Sequence, residues 1–257
     1  MGSEPAEVCV SPISEELTGG IPMMINKHKI HLAGVAVAVL ILAAIGIAWG
    51  QVWEKKPYQQ WSKGDVEKLM SDSPWALQHT QRLSKGGDAG QDATVTVRLR
   101  SALPIRQAVV RQMQMQAKYE KLSDSDRAEF DAKTKPILDC PSCADSYAVT
   151  LNGRSEQNTS YDPVYGRFRD ATPDQLKTYV YLENDRGERR GVVHFIPPKT
   201  LGADAIFFFA RRDASGKPLL TAEDKKLTLR FGEATITSLF TFEFDVHKML
   251  LNGEVAF

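Results

Sequence analysis

Lys177–Ile196 reads KTYVYLENDRGERRGVVHFI. Two runs rich in β-branched and aromatic residues, Lys177–Leu182 and Gly191–Ile196, flank Glu183-Asn-Asp-Arg-Gly187. Such side chains suit a pleated, half-buried surface, while Asn, Asp and Gly suit a tight connection, so the stretch predicts two antiparallel strands. The same pattern continues on both sides. Tyr147–Leu151 (YAVTL), Ala205–Ala210 (AIFFFA), Leu227–Phe231 (LTLRF) and Phe240–Val246 (FTFEFDV) are further β-rich runs, with Asp213-Ala-Ser-Gly216 as another connection. A last short strand is expected after Asn252-Gly253. Strands that follow one another without intervening helices pair antiparallel, as a β-sandwich or a curled barrel. No internal repeat stands out.

Upstream of this region the periodicity changes. Ser62 with Asp65 three residues on marks a helix start, and Val66, Leu69 and Met70 form its apolar stripe before Ser73-Pro74-Trp75 breaks it. Ser84–Asp92 (SKGGDAGQD) is a glycine-rich loop without the Gly-Lys-Ser/Thr ending of a phosphate loop. Thr94–Leu99 alternates as a half-buried strand. Pro104 then opens a helix of roughly five turns with Ile105, Val109, Met113 and Ala117 on one face. Arg106, Arg111, Lys118 and Lys121 lie elsewhere on that helix or just past it and read more readily as a solvated face than as a partner surface. Ser123 with Asp126 starts a second helix that is expected to stop at Pro136. The fold class is therefore α+β, with a few helices and a mainly antiparallel C-terminal half.

The N-terminal region has a different character. Leu32–Trp49 reads LAGVAVAVLILAAIGIAW, and with Ile30 and His31 it supplies 20 residues without an acid, Lys or Arg. At about 1.5 Å per residue this spans roughly 30 Å, the thickness of a hydrocarbon core. Lys27 and Lys29 flank one end; Trp49, Trp53 and Trp61 flank the other as candidate interface anchors. Gly34 with Ala38, and Ala44 with Ala48, place small residues at four-residue spacing and are candidates for helix packing in lipid. A buried core helix and a cleaved signal peptide are the rival readings. The first would ordinarily be shorter; the second has a short basic start, whereas more than 25 residues precede this run. The expected organisation is a flexible tail at 1–29, a transmembrane helix at 30–50, a juxtamembrane helical segment and loop at 51–92, and the soluble domain at 93–257. Basic residues are evenly divided across the helix, so orientation rests on the default of a short tail inside and a large domain outside, on the extracytoplasmic (periplasmic) side.

Composition excludes some partners. Lys plus Arg equals Asp plus Glu at 32 each, so no basic excess points to nucleic acid. Hydrophobic content of 42% is ordinary for a globular chain. Neither Gly-x-Ser-x-Gly nor His-Glu-x-x-His occurs, and no carboxylate cluster has ligand spacing, so no catalytic residue, metal or cofactor is expected. The sharpest motif is Cys140-Pro-Ser-Cys143. A local structural disulfide in an oxidising compartment is the preferred reading; redox catalysis, metal binding and free thiols stay open. Cys9 lies in the tail, across the expected membrane from this pair.

Trp61-Ser-Lys-Gly-Asp65-Val66 resembles the opening of GWxTD-type domains, and Asp126-Arg-Ala-Glu-Phe130 resembles an acidic-Arg-x-x-Phe helix that follows it. Gly216-Lys-Pro-Leu219, Asp224-Lys-Lys226 and Lys248-Met-Leu-Leu-Asn-Gly253 are likewise similar to segments of uncharacterised envelope proteins of the acidobacterial type. The Phe-Trp-x-x-Arg-Asp segment of GWxTD domains and a lipid-acceptor Cys are absent. The resemblance implies an envelope location and no particular reaction. Together these readings describe a membrane-anchored, non-enzymatic interaction or assembly module. Its partners are the lipid bilayer and a membrane protein or a second copy of the chain. The alternative is a tethered thiol–disulfide oxidoreductase using Cys140 and Cys143.

Overall fold

Strand alternation builds one antiparallel eight-stranded sheet with the order β1-β2-β3-β6-β5-β4-β7-β8. The strands are β1 Ala76–Leu83, β2 Gln91–Leu99, β3 Ser146–Ser155, β4 Val180–Asn184, β5 Arg189–Ile196, β6 Ala205–Ala210, β7 Lys226–Phe231 and β8 Phe242–Asp245. The computed structural model describes residues 52–83, 91–156, 158, 160–231 and 241–256, all within the compact unit Gly50–Phe257. The apolar run Ile30–Trp49, with Lys27, Lys29, Gly34, Ala38, Ala44, Ala48 and Trp49, lies outside the described residues. Among the described residues no helix is long and apolar enough to cross a membrane.

Register shows why the sheet curls. Val97 pairs with Leu151, Val149 with Phe207, Phe207 with Phe195, and Leu229 with both Leu182 and Phe242. Directly paired residues share a face, so one largely apolar face runs from β2 to β8, with Arg190 opposite Leu182 as a charged member. Nearly all its members are fully buried. The two outermost strands then meet through side chains: the His79 ring of β1 stacks on Phe242 of β8 at 4.4 Å between centroids. The sheet is thus nearly closed, a barrel-like form rather than two separate sandwich layers. A short hairpin, β9 Leu250–Leu251 with β10 Glu254–Val255, forms around Asn252-Gly253 as the turn residues suggest.

Helices cover the ends and part of the outside: α1 Val52–Lys55, α2 Lys63–Ser71, α3 Leu103–Ala117, α4 Asp124–Asp139, α5 Pro163–Phe168 and α6 Pro173–Leu176. Ser62 and Asp65 form a reciprocal capping box at α2, as their spacing predicts. Phe168 at the end of α5 is fully buried and meets the rings of Phe195, Phe207 and Phe231 from three strands.

Several expectations are corrected. Residues 51–92 are not only a juxtamembrane helix and loop, because Ala76–Leu83 enters the sheet as β1. The Trp61 ring is not free to lie at a membrane interface: it is 1% exposed in the domain core, and its Nε1 donates to the Lys56 carbonyl at 3.1 Å. Trp53 is half-buried and packs edge-on against Trp75 at 5.0 Å. Pro136 does not stop α4, which continues to Asp139; a proline costs its own missing N–H bond, but the turn beyond it is held by partners described below.

The β4–β5 connection is fixed by charge. Asn184 Oδ1 accepts from the Arg186 and Glu188 amides at 3.1 and 2.9 Å. Arg186 reaches both Glu188 and the buried Asp224, and Lys217 also binds Glu188. These cations, Lys217 foremost, push the Glu188 carboxyl down from 4.5 to about 2. A folded-state value below the unfolded one means stability that is present above about pH 4.5 and lost as pH falls towards 2. Glu188→Gln is therefore expected to flatten the fall of melting temperature between pH 4.5 and 2. An unchanged slope in thermal melts across that window would show that the cluster does not couple to folding.

Candidate functional site

The entry to α3 is set by the sheet. Ser101 is fully buried; its amide donates to the Ala148 carbonyl at 3.2 Å and its Oγ accepts from the Ala148 amide at 3.3 Å. This extends the β2–β3 pairing by one step and turns the chain into α3, with Pro104 in the first helical turn, where its missing N–H costs nothing. Lys118 in left-handed geometry ends α3. The Ser123 hydroxyl, accepting from the Asp126 amide at 3.2 Å, starts α4. The two helices form a hairpin beside the outer face of β3 and β6.

The buried face of α3 is not the one its apolar spacing suggests. Pro104, Ile105, Ala108 and Val110 are buried, and so are Arg106 and Gln114, whereas Val109 and Met113 are half-buried. Arg106 is 7% exposed rather than part of a solvated basic face. Its Nη1 donates to the Leu138 carbonyl in the last turn of α4, where a cation complements the carbonyl end of a helix. That bond ties the first turn of α3 to the end of α4 and helps hold the turn beyond Pro136.

The hairpin does not close against the sheet. A groove of about 330 Å³ remains between them. Ala148, Ile206 and Phe208 form its floor, Val109 and Ile137 its helical wall, and Ile196 its rim. Ile206 and Phe208 are half-buried and Ile196 is 38% exposed. Arg100 and Arg106 are the charged residues of the lining. No ion pair to either is found among the described residues, and Arg106 Nε is buried with no acceptor there. Burial pushes the Arg106 guanidinium below its ordinary value, against the pull of Asp139. The Asp139 carboxylate is itself engaged by Lys135 Nζ at 2.6 Å.

The disulfide borders this groove. Cys140 and Cys143 are bonded, with Cα atoms 5.3 Å apart, in the range of ordinary disulfides. Cys140 caps the C-terminus of α4 in left-handed geometry (φ 42°), its amide donating to the Pro136 carbonyl at 3.0 Å. Cys143 is buried, and its carbonyl accepts from Arg211 Nη1 at 2.9 Å. The bridge therefore pins the turn that carries the chain from α4 into β3.

Of the residues singled out from sequence, Cys140 and Cys143 come together, and Cys140 lies on the groove. Trp53 and Trp61 belong to the domain packing around α1 and α2. Arg106 reads from sequence as part of a solvated helix face, and Ile196, Ile206 and Phe208 carry no site reading there. A signal for two of them exists in Ala205–Ala210, where Ile206 and Phe208 are as apolar as the inward Phe207 and Phe209; a strand apolar on both faces is covered on both. Among the described residues no group of three or more His, Cys, Asp or Glu is placed to hold a metal ion. No family model, curated protein or solved structure matches this chain.

Proposed function

We propose that this protein is a membrane-anchored interaction or assembly module, an accessory subunit whose barrel-like domain holds its partner in the groove between the α3–α4 hairpin and the outer sheet face. The observation that carries the reading is the half-exposed apolar floor of Ile206 and Phe208 beside Arg106, a buried cation whose Nε has no acceptor among the described residues. An apolar floor open to water gains from being covered, and the hairpin covers only part of it. The apolar run Ile30–Trp49 supports a single-pass anchor, with a membrane protein or a second copy as the partner. A disulfide in the domain supports an oxidising, extracytoplasmic location, and the resemblance to acidobacterial-type envelope proteins points the same way.

The thiol–disulfide alternative is less well supported. Catalytic thiols gain acidity at a helix N-terminus, where the positive end of the dipole favours the thiolate. Cys140 sits at the opposite end of the 16-residue α4 and is followed by a single 3-10 turn, Pro141–Ala144, rather than by an α-helix.

A photo-crosslinking residue at Ile196 of the full chain in native membranes tests the proposal. A discrete adduct with one protein is expected at position 196, and none from the exposed control position Asp174. Adducts with lipid alone would defeat the interaction reading. Insulin reduction by the full chain that disappears in Cys140→Ser would replace it with the redox one.

A further inference from the structure

Arg106 is an unusual residue to bury. A guanidinium carries five N–H donors and always its charge, yet one neutral carbonyl is the acceptor found for it among the described residues. Its Nε is buried without an acceptor, and its nearest acid influence, Asp139, is held by Lys135. A buried charge whose acid neighbour is shared with a lysine is costly, and capping α4 through one bond does not require a charge of this kind. Arg100, exposed on the same lining, adds a second cation to the rim. The groove thus lacks an anion beside its apolar floor.

The shape narrows the occupant. The floor does not end in a closed cavity: the outer face continues from Phe208 to the exposed His194, whose ring lies 5.2 Å from it, and past Ile206 to Ile196 at the rim. A single alkyl chain could lie on the floor but would leave this rim wet. A peptide with side chains on both sides of its backbone covers floor and rim together.

Resting on the interaction reading above, we infer that the groove takes an aliphatic peptide segment of the partner that carries one carboxylate, with Arg106 receiving the carboxylate and Ile206, Phe208 and Ile196 receiving the aliphatic side chains. A fork of N–H donors suits two carboxylate oxygens, which a neutral amide cannot reproduce.

The test uses the full chain in lipid nanodiscs. The probes are a fluorescent, end-capped peptide of four leucines around a central glutamate, its glutamine twin, and decanoate as competitor. The glutamate peptide is expected to bind at least tenfold more tightly than the twin, and Arg106→Gln to bring the two together. Because Arg106 also caps α4, a second variant guards against a folding defect. Ile137→Glu supplies a carboxylate from the groove wall and is expected to abolish binding of the glutamate peptide while the melting temperature is kept. Equal binding of the two peptides, or binding of neither, overturns the inference. Displacement of the glutamate peptide by equimolar decanoate also overturns it, since the site would then be one for a lipid amphiphile. A crosslinked partner at position 196 without any glutamate preference would leave the interaction reading standing while this inference fell.

Discussion

Phe168→Ala is expected to lower the unfolding free energy by about 4 kcal/mol, within the range for a buried phenylalanine. For a domain of this size the melting temperature should fall by roughly 10 °C. The side chain is fully buried at the end of α5, a six-residue helix too short to hold itself in water. Its ring lies 5.3 Å from Phe207, 5.6 Å from Phe231 and 6.4 Å from Phe195. Those partners sit on β6, β7 and β5, whose ladders prevent them from collapsing into the space left behind. The truncation therefore leaves a cavity and also unpins α5 from the sheet. Arg169→Ala, one residue away and exposed, should change stability by less than about 0.5 kcal/mol. Denaturant unfolding of both variants measures the contrast. A loss below about 1.5 kcal/mol for Phe168→Ala would mean that α5 closes the barrel without the ring.

Gly153→Ala is expected to cost roughly 3 kcal/mol, at the upper end for overpacking. A Cβ at this position would stand 2.2 Å from Asp162 Oδ1, 2.9 Å from the Val164 amide nitrogen and 3.0 Å from Pro163 Cδ. The carboxylate has little room to retreat. Asp162 is 5% exposed; its Oδ1 accepts from the Val164 and Tyr165 amides at 2.8 and 3.0 Å, and its Oδ2 from the Gly202 amide at 2.8 Å. One side chain thus caps α5 and anchors the loop before β6. Asp162→Ala alone is expected to cost a similar roughly 3 kcal/mol, because one buried and two partly buried amides lose a charged acceptor. The double variant should cost clearly less than the sum, since the closest clash disappears with the carboxylate. Additive losses in a double-mutant cycle would show that the backbone contacts, not Asp162, make glycine necessary.

The contrast between legible and hidden features follows from the physics of each. The strands from Tyr147 to Val246 are visible because their side chains alternate against one buried face, and the hairpin around Gly187 because its turn residues have few other uses. β1 is not visible, because ALQHTQRL carries few apolar side chains. Its outward residues are satisfied across the sheet instead, Gln78 by Thr96 at 3.0 Å and Thr80 by Thr94 at 2.9 Å. The jump from β3 to β6 is a long-range pairing that local pattern does not encode. The Cys140–Cys143 disulfide was readable from spacing, but its position at the C-terminal end of α4 was not, since Pro136 suggested an earlier stop. Arg106 reads as a solvated residue, although it is buried, for a related reason. Helical periodicity marks apolar faces, and α3 is packed on two sides, so a charged residue falls between elements. Trp61 shows the same ambiguity, because an indole near an apolar run suits a lipid boundary and a protein core equally well.

His79 stacks on Phe242 where β1 and β8, the two ends of the sheet, come together. Every other neighbouring pair of strands is laced by backbone hydrogen bonds, whereas among the described residues no ladder joins β1 to β8 and the His79–Phe242 stack lies across this line. The barrel therefore has a seam. Opening it breaks no ladder among the described residues, whereas parting any other neighbouring strands costs backbone hydrogen bonds. β1 and β8 are the edges of the sheet, and such edges present unpaired backbone donors and acceptors that a further strand can meet.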